Sequence, residues 1–277
     1  ISTPPASHPE IAGAFLERGT PVLCEKPLAI DERSARAMVD ASHRSGTLLT
    51  MASKFRFVAD VFQVREMILS GELGDIFLVE NAFNSPVQMA DRWNSKPELS
   101  GGGVLIDNGT HSVDIVRYLL GPISEVLAFA DVIDKGLSVE DNAQLFLKTK
   151  AGTEARVDLS WSFDKQLPNF VSVYGSKGTA HIGWKESKVN THTSGGWKVF
   201  GNGYNKLDAF RANVANFAAA IDGAEPARVT VYDAMASVEV ISAAYASVNS
   251  GNRWQAVDGG GGDAAPDKQK ELAVPEL

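Results

Sequence analysis

Two stretches of this chain hold side chains able to move protons. The first, V22-L23-C24-E25-K26-P27-L28, is an apolar run that ends on an acid, a base and an imino acid. A run built for burial gains nothing by aiming an ammonium out of its end, so Lys26 calls for something to touch. Pro27 biases Lys26 toward extended backbone and offers no N–H, which fixes the direction in which the ammonium leaves. The second stretch opens at Gly101-Gly102-Gly103 and is apolar almost all round, as a buried helix is, except at Asp107, His111 and Asp114. Steps of four and three residues set these on one stripe, and burying them unpaired costs a few kcal/mol each. The ordinary reading of His111 is an internal histidine bonded to Asp107; the chemical reading is an acid–base pair beside a ligand. The same side chains offer N and O metal ligands, but three donors on one helix rarely converge on one ion, so no metal is expected.

Short elements must position these groups. Ser7 and Glu10, spaced as a capping box, precede a helix that Gly19 stops. A strand at 21–25, a helix from Asp31 to Gly46 with Ala35, Met38 and Val39 on its apolar stripe, and a strand at 48–52 follow. Strand, helix, strand with tight connections predicts a parallel βαβ unit, part of a doubly wound sheet whose ligands sit beyond the carboxyl ends of the strands. Glu25 and Lys26 stand at that end. From residue 59 the pattern becomes helix 59–70, a β-rich segment 75–85, the long helix, then strands at 126–133, 141–148, 154–161, 170–175 and 179–183 with partial period-two alternation. Helices near 207–222 and 230–249 complete an α+β region, and the Gly-rich polar end from Asp258 is expected to be a disordered tail. The expected class is α/β plus α+β, with domains at 1–55 and 56–257 and a tail at 258–277.

A net charge of −8 and a pI near 5.2 argue against a nucleic-acid partner. One cysteine, Cys24, excludes an internal disulfide framework. The absence of an apolar run of about 18 residues argues against membrane insertion, and a cytoplasmic protein is expected. The first residue is Ile rather than Met, so the chain is expected to be the remainder of a longer protein.

Together, Thr3-Pro4, His8, Gly19, Glu25-Lys26-Pro27, Arg56-Phe57, Gly71-Glu72-Leu73-Gly74, Trp93 and G101-G-G-V-L-I-D-N-G-T-H111 resemble the Gfo/Idh/MocA family of NAD(P)-dependent oxidoreductases. The resemblance implies a Rossmann domain followed by an α+β domain whose large, mostly antiparallel open sheet makes homo-oligomer contacts. It implies Lys26 as the active-site lysine, His111 as acid/base, and Asp107 as the acid that contacts substrate or orients the histidine. Hydride would pass from a secondary alcohol of a sugar, inositol or related polyol to NAD or NADP. Thr3, Pro4, His8, Glu25 and Lys26 would border the cofactor. Arg56, Trp93 and Asn108 would contact substrate, with Arg92, Asn94, Lys54 and Phe163 as further lining. No G-x-G-x-x-G follows a strand in this sequence, so the phosphate-binding loop is not among its residues. Two other functions stay open at this point: a glycoside hydrolase that uses bound NAD transiently, and a non-catalytic binding protein without the cofactor half.

Overall fold

Val22–Cys24 (β1) and Leu49–Met51 (β2) pair in parallel, Val22 opposite Leu49, across the helix Glu32–Ser45 (α2). The computed structural model describes residues 1–257, so the tail lies outside the described residues. Asp31 accepts from Ser34 N at 2.8 Å and Gly46 closes α2 in the left-handed region at φ 64°, as the sequence reads. Ile1 lies along the other side of β1: its amino group donates to Leu23 O at 2.7 Å, and Glu25 N donates to Ile1 O at 2.9 Å. That alternation is the parallel ladder pattern, so three extended segments end on the same edge.

The capping box expected ahead of His8–Leu16 (α1) does not form. A 3₁₀ turn, Pro5–Ser7, runs straight into the helix and gives Ser7 helical dihedrals of −93° and −8°. An N-cap needs extended backbone to reach the N–H three residues on. Ser7 Oγ instead donates to Thr3 Oγ1 at 2.7 Å and to Pro4 O at 2.8 Å, which ties down the loop before the helix.

The second region begins with Ala59–Leu69 (α3), Ile76–Asn84 (β3), Pro97–Ser100 (α4) and Val104–Leu120 (α5). Strands Ile123–Asp131 (β4), Asn142–Thr149 (β5), Glu154–Ser160 (β6), Asn169–Gly175 (β7), Gly178–Gly183 (β8), Ser187–Thr191 (β9) and Lys198–Gly201 (β10) follow. Lys206–Ile221 (α6), Val231–Asn249 (α7) and Gln255–Ala256 (β11) complete it. The nine-stranded sheet runs β10-β9-β8-β7-β3-β6-β5-β4-β11, antiparallel except where β3 meets β6. Ala143, Leu145 and Leu147 of β5 are buried while Gln144 between them is exposed, so one face is covered. α3, α5 and α7 lie on that side.

α7 belongs to both regions. Ala234, Met235 and Val238 pack into the core built by α1, α2, β1 and β2. Val240, Ile241 and Ala244, one to two turns later, pack into the core beneath the large sheet. Each such Val or Ile contributes about 1.5–3 kcal/mol by leaving water, so one helix fastens the two cores together. Its N-terminus carries a capping box, Thr230 with Asp233.

Candidate active site

The three glycines before α5 are explained by what approaches them. A Cβ on Gly103 would lie 1.8 Å from the Glu140 carbonyl oxygen, and one on Gly102 would lie 2.0 Å from the Tyr245 hydroxyl. Into that space Glu140 brings Oε1, which accepts from Gly103 N at 2.9 Å, Leu105 N at 3.1 Å and Tyr245 Oη at 2.7 Å. A carboxylate from the β4–β5 connection therefore caps α5, satisfying N–H groups that no residue of the helix reaches. Neither Glu140 nor Tyr245 stands out in the sequence, because their role depends on contacts 35 to 105 residues away. The cap fixes where Asp107 and His111 begin.

Lys26 leaves the end of β1 and meets Asp107. Its Nζ donates to Asp107 O at 2.9 Å and forms an ion pair with Asp107 Oδ1. The two side chains keep 15% and 21% of their surface, so the pair borders solvent rather than being sealed. Asp107 is thus bound to the lysine, and no hydrogen bond joins it to His111 among the described residues. His111, one turn on, sets its ring edge-on to Phe55 with centroids 5.1 Å apart. Burial first, then the charges of Lys26 and Lys54, hold the His111 pKa well below the usual 6.5. At neutral pH this imidazole is uncharged and can accept a proton.

Lys54, just past β2, is the further member of the group. Burial, assisted by Lys26 and Lys206, lowers its pKa to about 8, against the opposing pull of Glu25 and Asp107. Glu25 Oε2 accepts from Lys26 N at 3.2 Å and stands on the same edge. The side chains at the carboxyl ends of β1 and β2 thus meet one stripe of α5.

Burial closes off two of the expected contacts, those of His8 and Arg56. His8 has no exposed surface, and its ring nitrogens lie 3.0 Å from Pro27 O and 2.9 Å from Thr3 O. It ties the Thr3 loop to the Lys26–Pro27 loop and cannot touch a cofactor. Arg56 is equally unavailable to substrate, being 4% exposed. Its Nε donates to both Asp114 oxygens at 3.0 Å, and its Nη2 lies 3.1 Å from Asp233 Oδ1, with Arg117 3.8 Å from the same oxygen. Burial lowers the Arg56 pKa, but the two carboxylates outweigh it and raise the pKa on balance. Asp114 therefore leaves the chemical stripe for a structural one. Asn108 Oδ1 accepts from Trp161 Nε1 at 3.0 Å, anchoring α5 to the end of β6. Trp93 is 37% exposed in a 3₁₀ turn, Trp93–Ser95. Thr3 is exposed and Pro4 half-buried beside the end of the Ile1 segment. A hollow of about 210 Å³ lined by Glu32, Glu239, Ser242 and Gln255 lies elsewhere, between α2, α7 and β11. Its buried carboxylate, Glu239, is already paired with Arg36 at 3.2 Å.

The edge fits one end of a dinucleotide. Three parallel segments finish there, and Glu25 and Lys26 project from it. Such donors and acceptors suit the hydroxyls and amide of a nicotinamide riboside. Parallel strands thus end at a lysine that meets a histidine-bearing helix, ahead of a large, mostly antiparallel sheet. Residues 1–53 match the oxidoreductase family with an NAD-binding Rossmann fold, and residues 61–181 match the GFO/IDH/MocA C-terminal domain. The chain belongs to the Gfo/Idh/MocA oxidoreductase family.

Its relatives include the rhizopine catabolism protein MocA of Rhizobium meliloti, 28% identical over 88% of this chain and 73% of that protein. The inositol 2-dehydrogenase of the same species is 25% identical over 90% of this chain and 77% of that protein. Among solved structures, levoglucosan dehydrogenase in complex with NADH and levoglucosan shares the fold at a TM-score of 0.85 and 22% identity. That match covers 93% of this chain and 78% of the other.

Proposed function

We propose that this chain forms the substrate side of an NAD(P)-dependent dehydrogenase acting on a secondary alcohol of a sugar, inositol or related polyol. The observation that carries the reading is the meeting of Lys26 with Asp107 one helical turn before a neutral His111. When bound, the nicotinamide supplies the hydride acceptor. Lys26, held by the Asp107 carbonyl and carboxylate, offers its remaining N–H to the carbinol oxygen and stabilises the alkoxide as it develops. His111 takes the hydroxyl proton on its unprotonated ring nitrogen while the C–H hydrogen leaves as hydride, and with its pKa held low the imidazole then gives that proton up to solvent. Phe55 keeps water from one side of that imidazole. Thr3, Pro4 and Glu25 border the cofactor in this reading, and Trp93 is left without a role. The names of the relatives, which include inositol 2-dehydrogenase and D-apiose dehydrogenase, support the substrate class.

The test is oxidation of myo-inositol, D-xylose and D-glucose with NAD⁺ or NADP⁺, followed by nicotinamide absorbance and by proton release. One proton should appear per reduced nicotinamide, and His111→Ala and Lys26→Met should each abolish most of the rate. Binding of all three polyols without turnover, unchanged in both variants, would overturn the assignment. We also propose self-association through the open face of the large sheet, where Phe129 is 41% exposed and packs edge-on to Phe146. Light scattering should then give a mass above that of one chain, and Phe129→Glu should lower it.

A further inference from the structure

The site contains one cation too many for a neutral substrate. Lys26 is neutralised by Asp107, whereas no carboxylate lies within ion-pairing distance of Lys54 Nζ among the described residues, and no hydrogen bond is made to it. The Lys54 ammonium is held over three rings instead, 5.3 Å from Phe55, 5.5 Å from Phe210 and 5.9 Å from Tyr204. Aromatic faces attract a cation but leave its N–H donors unused. Lys206 adds a second charge to the same place, its Nζ 5.9 Å from the Phe210 ring.

The loop that brings Tyr204 and Lys206 there is fastened. Asp60 Oδ2 accepts from Gly203 N at 2.7 Å, and Gly201 packs so closely on the Asp60 carboxyl that a Cβ would lie 2.3 Å from it. Two like charges are therefore drawn together by this fastened loop, and the charged form of Lys54 is held at a cost: its pKa is lowered first by burial, then by the charges of Lys26 and Lys206. A polyol alone does not relieve that cost; an anion does, through a charge-assisted hydrogen bond.

We propose that Lys54, backed by Lys206, binds an anionic substituent of the substrate, making this a site for a sugar acid or sugar phosphate rather than a neutral sugar. The inference rests on the reading of Lys26, Asp107 and His111 as the polyol site and specifies its substrate. Lys54 acts as a specificity residue and takes no part in the proton or hydride transfer.

The experiment is calorimetric titration of the full chain with D-gluconate, D-glucose 6-phosphate and myo-inositol. Wild type, Lys54→Met, Lys54→Arg and Lys26→Met are compared. At least one of the two anions should bind about tenfold or more tightly than myo-inositol, and added salt should weaken only the anions. Lys54→Met should erase the preference and Lys54→Arg should keep it. Lys26→Met should weaken all three compounds alike. A preference for gluconate identifies a carboxylate, and one for glucose 6-phosphate identifies a phosphate. Equal binding of myo-inositol and both anions, or a preference that survives Lys54→Met, overturns the inference and leaves the polyol site standing. Binding of none of the three overturns both.

Discussion

Two ion pairs on one stripe of α5 behave differently. Lys26–Asp107 joins the end of the small parallel sheet to the first turn of the helix and keeps part of its surface in solvent. Arg56–Asp114, two turns further along, is closed off and extended by Asp233 and Arg117 into a four-member network. Spacing along the helix treats Asp107, His111 and Asp114 alike, yet only the first two remain available to a ligand. The difference is burial: a paired charge that still borders water can exchange its partner, whereas a sealed one cannot without leaving an uncompensated charge. The same helix thus carries a working end and a holding end.

The contrast breaks most sharply at His111. His111→Ala should lower the rate of polyol oxidation by about 100- to 10,000-fold while leaving thermal unfolding little changed, because a general base contributes to the barrier and not to the fold. At the holding end, Arg56→Met should cost about 3–5 kcal/mol in urea unfolding, and the double variant Arg56→Met/Asp114→Leu should recover much of it. Gly103→Ala should cost about 1–3 kcal/mol or more, since its Cβ would displace the Glu140 backbone. Asp107→Asn at the working end should shift unfolding by no more than about 1 kcal/mol, as expected for a pair that borders solvent.

Acidity sharpens the distinction further. The folded pKa of His111 lies well below the unfolded value near 6.5, so the unfolded chain takes up this proton first. Stability should therefore decline as pH falls below about 6.5 and continue to do so until the folded pKa is reached. Chemical denaturation across that range should show the decline, and His111→Gln should remove its share. The rate of oxidation should stay flat through neutrality on the same account.

Much of the fold is legible locally. Asp31 and Gly46 mark the ends of α2 because a cap and a left-handed stop are decided within a few residues. Ser7 and Glu10 show how that logic fails: the pattern is correct, but the preceding prolines set a 3₁₀ turn that denies Ser7 the extended backbone a cap requires. β9 and β10 escape a sequence reading because S187-K-V-N-T is short and largely polar and K198-V-F-G is only four residues long, and only pairing at the sheet margin makes them strands. The parallel pairing of β3 with β6, in which Leu78 faces Glu154 and Asn84 faces Ser160, joins residues far apart in the chain and leaves no local mark.

The chain by itself determines that an ammonium ends one strand and that a carboxylate and an imidazole share one helix face, since strand ends and helical spacing are local geometry. It also determines the parallel character of the first unit through the short strand-helix-strand connections. Only the tertiary structure decides that Lys26 meets Asp107, that His111 is free and neutral, and that His8, Arg56 and Asp114 are sealed away. Those outcomes depend on desolvation and on partners far off in the chain, and both quantities exist only once the two cores close around α7.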